Sequence, residues 1–107
     1  MKMTNNEIWQ ANLALGKIGK NDISAKLAFK LYRIKKKLED EALIINESLK
    51  GKDEDDKEVE EVMELENNID IDKIKASELE ELKLSVQDVF CLECIIDFEE
   101  EAKENSK

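Results

Sequence analysis

Two cysteines have the spacing of a redox pair and are the first residues here whose type and position could do chemistry. Cys91 and Cys94 form a Cys-Leu-Glu-Cys motif, which is the spacing of a disulfide-exchange dithiol. A reactive dithiol lies at a helix N-terminus after a strand, where the helix dipole lowers the thiol pKa. Here the flanking sequence predicts that both thiols lie inside an apolar helix. With no histidine and no further cysteine, they cannot complete a tetrahedral zinc site, so we expect a structural role.

Clustered carboxylates offer two candidate cation sites, and neither has a specific pattern. The run Asp53-Glu54-Asp55-Asp56 lacks the glycine and the regularly spaced ligands of an EF-hand loop, which favours a solvated loop. Asp70 and Asp72 would project from one strand face and could hold magnesium, although alternating Ile and Asp is typical of any half-exposed strand. Because no nucleophile stands beside a base, we predict that the protein is not an enzyme and has no metal or cofactor.

Basic residues recur at helical spacing and could contact phosphate groups. We call the set Lys26, Lys30, Arg33 and Lys37 the basic ridge, and Lys35 and Lys36 add charge beside it. Two other interpretations stay open: a solvated helix face, or a ridge neutralised by the acidic half of the same molecule. The net charge of −10 disfavours direct nucleic-acid binding because it repels a polyanion at long range. Phe29 and Tyr32 are predicted to be core residues rather than stacking platforms.

Carboxylates in the second half of the chain could imitate a phosphate backbone. The candidate acidic surface comprises Glu58, Glu60, Glu61, Glu64, Glu66, Asp97, Glu99, Glu100 and Glu101. Such a surface would occupy the basic groove of a nucleic-acid-binding protein. The alternative is that these charges only keep the protein soluble.

Composition favours one small helical domain with two oppositely charged halves. The 107 residues are 41% hydrophobic and 41% charged, with no proline and three glycines, which is typical of a mostly helical protein. Residues 1–52 hold 11 basic and 6 acidic residues, whereas residues 53–107 hold 6 and 21. Two cysteines are too few for a disulfide scaffold, and we find no signal peptide or membrane span, so a cytosolic protein is predicted.

Capping signals place two helices in the first half. Thr4 and Glu7 form a capping box, and Met3 and Ile8 occupy the positions of a hydrophobic staple. The first apolar stripe is Ile8, Ala11, Leu15 and Ile18, widened by Trp9 and Leu13, with Gly16 or Gly19 ending the helix. The second helix is predicted from Asp22 to Leu49, with its stripe at Ile23, Leu27, Leu31, Ile34, Leu38, Ala42, Ile45 and Leu49. Asn21 and Asp22 can cap its start and Gly51 can end it. The short link predicts an antiparallel hairpin.

The hairpin leaves the distal half of the second helix in need of cover. Four successive apolar residues, Ala42-Leu43-Ile44-Ile45, span all faces of a helix, so we expect burial on more than one side by the C-terminal half or by a second subunit. The C-terminal half is predicted to contain an acidic helix at Glu58–Glu66, with Val59, Val62, Met63 and Glu66 on its inner side. A strand at Ile69–Asp72 follows, which lies against the hairpin or pairs with a second copy.

Two further elements complete the expected architecture. A single helical turn is predicted at Ser77–Leu82, and a final helix at Val86–Phe98 begins with a Ser85/Asp88 capping box and buries Val89, Phe90, Leu92, Ile95 and Ile96. The fold class is therefore mainly α with one short strand, in a single domain 1–107. Its parts are the hairpin (4–50), an acidic loop (51–57), an acidic C-terminal layer (58–98) and a frayed tail (99–107).

Several of these segments resemble a family of small phage proteins. The resemblance lies in Leu13-Ala14-Leu15, in Lys26-Leu27-Ala28-Phe29-Lys30-Leu31, and in the closing run Ile69-Asp70-Ile71-Asp72-Lys73-Ile74, Ser77-Glu78-Leu79 and Leu84-Ser85. It covers most of the chain except residues 50–61. It implies a helical hairpin, a variable acidic middle and a phage or prophage origin, and it carries no catalytic residue.

The sequence thus predicts a non-enzymatic phage-type inhibitor located in the host bacterial cytoplasm. It would block a host nucleic-acid-handling protein or defence complex through a nucleic-acid-mimicking acidic surface, as anti-CRISPR proteins do. The alternative is a phage structural or assembly factor that oligomerises through its hairpin, with a homodimer as its simplest form. A third hypothesis is direct nucleic-acid binding along the basic ridge.

Overall fold

Helices make up most of the chain, which confirms the mainly α fold class. The computed structural model describes residues 1–20, 22–53, 57–80 and 82–98. The helices are α1 (Asn5–Ile18), α2 (Ala25–Leu49), α3 (Lys57–Glu64) and α4 (Val86–Leu92). The strands are β1 (Lys2–Thr4), β2 (Glu66–Asn68), β3 (Ile74–Lys75) and β4 (Ile96–Asp97). The strands form two separate pairs, β1 with β2 and β3 with β4.

The predicted capping box begins α1. The Glu7 backbone N–H donates to Thr4 Oγ1 at 3.1 Å, and the Thr4 N–H donates to Glu7 Oε1 at 2.8 Å. Met3 and Ile8 are fully buried, as a hydrophobic staple requires. Gly19 caps the C-terminus. Leu13, expected to widen the stripe, is exposed, and Ala14 is buried instead.

The predicted stripe of α2 is confirmed, but the helix begins later than expected. Its buried residues are Leu27, Leu31, Ile34, Leu38, Ala42 and Ile45, and Ile23 and Leu49 pack half-buried against the same core. Ser24 is the N-cap, since its hydroxyl accepts from the Leu27 N–H at 3.3 Å. Asp22 therefore lies before the helix, and Asn21 lies outside the described residues. Gly51 has φ of 78°, the left-handed conformation predicted for it.

Helix α1 packs along the first part of α2, and the short link between them makes the pair an antiparallel hairpin. Lys35 Nζ donates to Asn12 Oδ1 at 2.8 Å across this interface. Beyond the reach of α1, α3 packs on α2 and Ala42 and Ile45 are buried. Leu43 and Ile44, however, are 60% and 61% exposed. The expected burial of this segment on several sides is therefore wrong for the single chain, because its own C-terminal half covers one side only.

The strand predicted at residues 69–72 is wrong. The chain pairs three residues earlier, where β2 runs antiparallel to β1 with Met3 opposite Asn67. Residues 69–72 have no regular secondary structure but keep the alternation, since Ile69 is buried and Asp70 is exposed. They lie against the hairpin, where Lys37 Nζ donates to the Asp70 carbonyl oxygen. A period of two reports alternate burial, which an extended segment shows with or without a strand partner.

The final helix is shorter than predicted. Its Ser85/Asp88 capping box is present, but α4 ends at Leu92 and a 3-10 turn spans Glu93–Ile95. The chain then becomes β4, which runs parallel to β3 with Ile74 opposite Ile96. β-Branched residues favour this extended conformation. Leu92, Ile95 and Ile96 are buried and Val89 half-buried, whereas Phe90 is exposed. The helical turn predicted at Ser77–Leu82 is a 3-10 turn at Ala76–Leu79, and the predicted frayed tail lies outside the described residues.

A buried asparagine joins the first helix to α3 and β2. Asn5, which is 8% exposed, donates through Nδ2 to the Val62 carbonyl oxygen at 2.6 Å. Its Oδ1 accepts from Asn67 Nδ2 at 2.6 Å, and its backbone N–H donates to the Leu65 carbonyl at 2.9 Å. Both polar ends of the amide are therefore satisfied, which offsets the desolvation cost of burying it.

Replacing Asn5 should destabilise the fold far more than replacing its neighbour. Asn5→Ala removes the two hydrogen bonds of the buried amide, and the Val62 carbonyl and the Asn67 amide keep only their longer bonds to the Leu65 N–H (3.2 Å) and the Met3 carbonyl (3.5 Å). We therefore expect the free energy of unfolding to fall by about 1–3 kcal/mol. Asn6→Ala, at an exposed position of the same turn, is the matched control and should change it by less than about 0.5 kcal/mol. Urea titrations followed by circular dichroism measure both, and equal effects would contradict the network's role.

Candidate functional site

The basic ridge follows one side of α2 and lines a groove. The groove has a volume of about 940 Å³, and Ile71, Asp72 and Glu78 form its opposite wall. It runs from Lys26 to Asp40 along the helix. Helix α2 thus presents the four ridge residues together, as their spacing predicted.

Two members of the ridge are engaged by the chain itself. Lys30 Nζ lies 2.8 Å from Glu78 Oε1, and this hydrogen bond lowers the pKa of the Glu78 carboxyl group. Lys37 donates to the Asp70 carbonyl oxygen. Among the described residues, no carboxylate lies at ion-pair distance from Lys26 or Arg33. Neutralisation by a carboxylate of the same molecule, one of the alternatives for the ridge, therefore applies to Lys30 among the described residues, while Lys37 is held by an uncharged carbonyl group.

Two aromatic side chains stand beside the ridge in solvent. Phe29 is 66% exposed and Tyr32 is 60% exposed, so the prediction that they belong to the core is wrong. A rotation of about 100° per residue places Phe29 opposite both Leu27 and Leu31, and it places Tyr32 outside the buried stripe. The sequence already contained this signal. Lys36 Nζ lies 5.9 Å from the centre of the Tyr32 ring, within range of a cation–π contact.

The described part of the acidic surface is a row on α3. Glu58, Glu60, Glu61 and Glu64 are all exposed, and we call them the α3 carboxylates. Val59, Val62 and Met63 are half-buried on the inner side, as predicted. Glu58 forms an ion pair with Lys52. The row is therefore a solvent-facing group of negative charges on a helix docked by its apolar side.

The other members of the predicted acidic surface do not join this row. Glu66, expected on the inner side of the third helix, is an exposed residue of β2. Asp97 is half-buried in β4, where it pairs in register with Lys75. Glu99, Glu100 and Glu101 lie outside the described residues. The candidate surface is thus smaller than the sequence suggested.

The two cysteines lie beside the start of α1. Cys94 Sγ donates to Glu7 Oε2 at 2.5 Å, while the other oxygen of Glu7 caps the helix. Burial, together with the Glu7 carboxylate, raises the pKa of the Cys94 thiol to about 12. The thiol is thus protonated at neutral pH, whereas disulfide exchange needs a thiolate. Cys91 lies in α4 and Cys94 in the following 3-10 turn, rather than both inside one helix.

The described residues provide little structural support for the candidate cation sites. Asp70 and Asp72 are exposed on an irregular segment, and within the described ranges no three His, Cys, Asp or Glu side chains are grouped so as to hold a metal ion. The loop candidate at residues 53–56 falls mostly outside those ranges.

Protein-family models, curated proteins and solved structures give no significant match to this chain. In the part of the chain that the structure describes, no helix combines the length and the apolar character needed to cross a membrane.

The lowered pKa of Glu7 implies that the free energy of unfolding decreases in acid. Hydrogen bonds from the Cys94 thiol and the Thr4 N–H lower the pKa of Glu7 below its ordinary value of 4.5. As the pH falls below about 4.5, the Glu7 carboxylate takes up a proton in the unfolded chain before it does so in the folded chain. The stabilisation that is present above about pH 4.5 is therefore lost as the pH falls through the lowered pKa of the folded state. Glu7→Gln should therefore flatten the acid dependence of the free energy of unfolding. Denaturant titrations between about pH 6 and pH 3 measure this, and an acid dependence as steep in Glu7→Gln as in the wild type would contradict the role of Glu7.

The cysteines should matter for the stability of the fold. Cys91→Ala combined with Cys94→Ala should lower the free energy of unfolding by roughly 1–2 kcal/mol, because apolar contacts and the thiol hydrogen bond are lost. Cys94→Ser, which keeps a donor for Glu7, separates the hydrogen bond from the packing. Stoichiometric zinc in the purified protein would contradict a purely structural role.

Proposed function

We propose that this chain is a non-enzymatic inhibitor of the phage type that binds a basic, nucleic-acid-handling protein or defence complex of a bacterial host. The α3 carboxylates take the place of backbone phosphates in the groove of that partner. The observation that carries the proposal is the outward row of four carboxylates on a helix whose inner side is docked on α1 and α2.

The docking of α3 fixes where its charges point. Val59, Val62 and Met63 face the hairpin, and the Val62 carbonyl accepts from the buried Asn5 amide at 2.6 Å. The four carboxylates occupy the remaining half of the helix surface. Charges held by a docked helix lose less conformational freedom on binding than charges on a free loop.

The charge balance of the chain favours a basic partner. A net charge of −10 attracts cationic surfaces and speeds their encounter. Two of the four ridge cations are engaged within the molecule by Glu78 and by the Asp70 carbonyl, which reduces their competition for an external anion. The resemblance to small phage proteins supports an inhibitor by analogy, since acidic proteins of this size often block host enzymes.

The same geometry gives some support to the assembly alternative. Leu43 and Ile44 are exposed on α2, as a chain that associates through its hairpin requires. This observation concerns a different surface from the α3 carboxylates, so an inhibitor can also be an oligomer.

Charge reversal on α3 tests the proposal. Replacing Glu60, Glu61 and Glu64 by Lys should abolish capture of basic nucleic-acid-binding proteins from a bacterial lysate, because the electrostatic match is inverted. Capture by the wild type should weaken as salt is raised and should be competed by added duplex DNA or RNA. Lys30→Glu with Arg33→Glu reverses charge on the basic ridge instead and should leave capture intact.

Two results would contradict this function. One is a captured partner that is insensitive both to salt and to the α3 reversal. The other is a sub-micromolar gel shift of free DNA or RNA by the wild type at ~150 mM salt, where the Debye length is about 8 Å; loss of that shift in the Lys30→Glu, Arg33→Glu variant would assign nucleic-acid binding to the basic ridge.

A further inference from the structure

Helix α2 has a second stripe, on the side opposite its buried one. Every member of this stripe is exposed in the single chain, and we call it the outer face of α2. The residues recur at spacings of four, three, four, three and four: Phe29, Arg33, Lys36, Asp40, Leu43 and Glu47, flanked by Tyr32 and Ile44. This is the spacing at which one helix meets another along its length. The apolar members sit near both ends, with charges between them.

Charge is divided sharply along the same helix. Residues 25–37 contain six cations and no carboxylate, whereas residues 38–49 contain four carboxylates and no cation. This order opposes the helix dipole, which favours carboxylates near the N-terminus and cations near the C-terminus. Correspondingly, the first turn of α2 has no acidic residue and the last turn has no basic one. The stability of the isolated helix therefore does not explain the pattern, whereas an antiparallel neighbour of the same sequence does.

We propose that two copies of this chain form a two-fold dimer in which the outer faces of their α2 helices pack antiparallel. With the two-fold axis at the level of Leu38, Lys36 of each copy lies opposite Asp40 of the other. Tyr32 lies beside Leu43 of the other copy on one edge of the pair. The basic half of each helix thus meets the acidic half of its neighbour. A parallel pair would instead place Lys36 against Lys36 and Asp40 against Asp40, which like-charge repulsion disfavours.

The groove beside the basic ridge suits this occupant. It ends at Asp40, where the acidic half of the same helix begins, so the acidic half of a second α2 can enter from that end. In this register the entering helix brings its Asp40 towards Lys36 and its Leu43 towards Tyr32, and its Glu47 reaches the level of Phe29. On the far wall Glu78 is paired with Lys30 at 2.8 Å, and Asp72 is exposed there, so the incoming carboxylates lie on the α2 side of the groove. The dimer goes beyond the proposed function, because it leaves the α3 carboxylates of both copies available.

Charge-swap variants test the pairing by sedimentation velocity. Lys36→Asp alone and Asp40→Lys alone should each raise the dimer dissociation constant by about tenfold or more, because each places like charges opposite each other twice. Combining both changes in one chain should restore the dimer. Mixing the two single variants should give a heterodimer that neither forms alone. In a parallel dimer Lys36→Asp would exchange one like-charge pair for another and change little.

Matched controls separate this interface from general effects of charge. Lys20→Asp makes the same change of net charge at an exposed site off the outer face and should leave the dimer intact. Ile44→Asp should keep the melting temperature of the monomer, since the side chain is 61% exposed, but should weaken the dimer. A wild type that stays monomeric at about 100 µM, a dimer indifferent to both single swaps, or a failure of the double swap to restore it would overturn the proposal. So would a monomer whose outer face binds single-stranded DNA instead.

Discussion

The buried stripe of α2 is longer than α1 can cover, and the rest of the chain is arranged around that mismatch. Helix α2 has 25 residues and α1 has 14, which leaves roughly 16 Å of helix without a hairpin partner. Helix α3 turns back over this end, and residues 69–79 bring Ile69, Ile74 and Leu79 into the same core. Helix α4 then packs on α1. Short elements suffice because each only has to complete a surface that α2 already defines.

Much of this fold could be predicted from local sequence signals. The pairings between segments that are distant in the sequence could not. The capping boxes at Thr4 and Ser85 need residues three apart, so they can be read directly. The stripe of α2 repeats often enough to define one face. By contrast, the sequence Glu-Asn-Asn of β2 is neither apolar nor β-branched, and its strand exists because the first residues of the chain pair with it. Similarly, α4 ends early because Ile96 pairs with Ile74.

The candidate surfaces divide in the same way. The sequence predicted which charged residues share a helix, but not which of them pair with other segments of the same chain. Lys30 is engaged by Glu78, which lies on another segment, and Asp97 is drawn into a strand. The exposure of Phe29 and Tyr32 follows from the helical rotation. They were predicted to be core residues because aromatic side chains are usually buried. The capping role of Glu7 could be predicted, but its second role could not. The same carboxylate that caps α1 also accepts a hydrogen bond from the Cys94 thiol, which lies in a distant segment.

The ladder between β1 and β2 also has a consequence for biosynthesis. It joins Lys2 to Asn68, the two ends of a segment that contains α1, α2 and α3. A growing chain cannot complete this ladder until Asn68 has left the ribosome, and closing so long a loop costs entropy before its contacts form. We therefore expect the hairpin, whose contacts are nearer in sequence, to form first, with the distal stripe of α2 and the buried side of Met3 still in water. Until the acidic half arrives, α1 and α2 form a basic, partly uncovered helix pair.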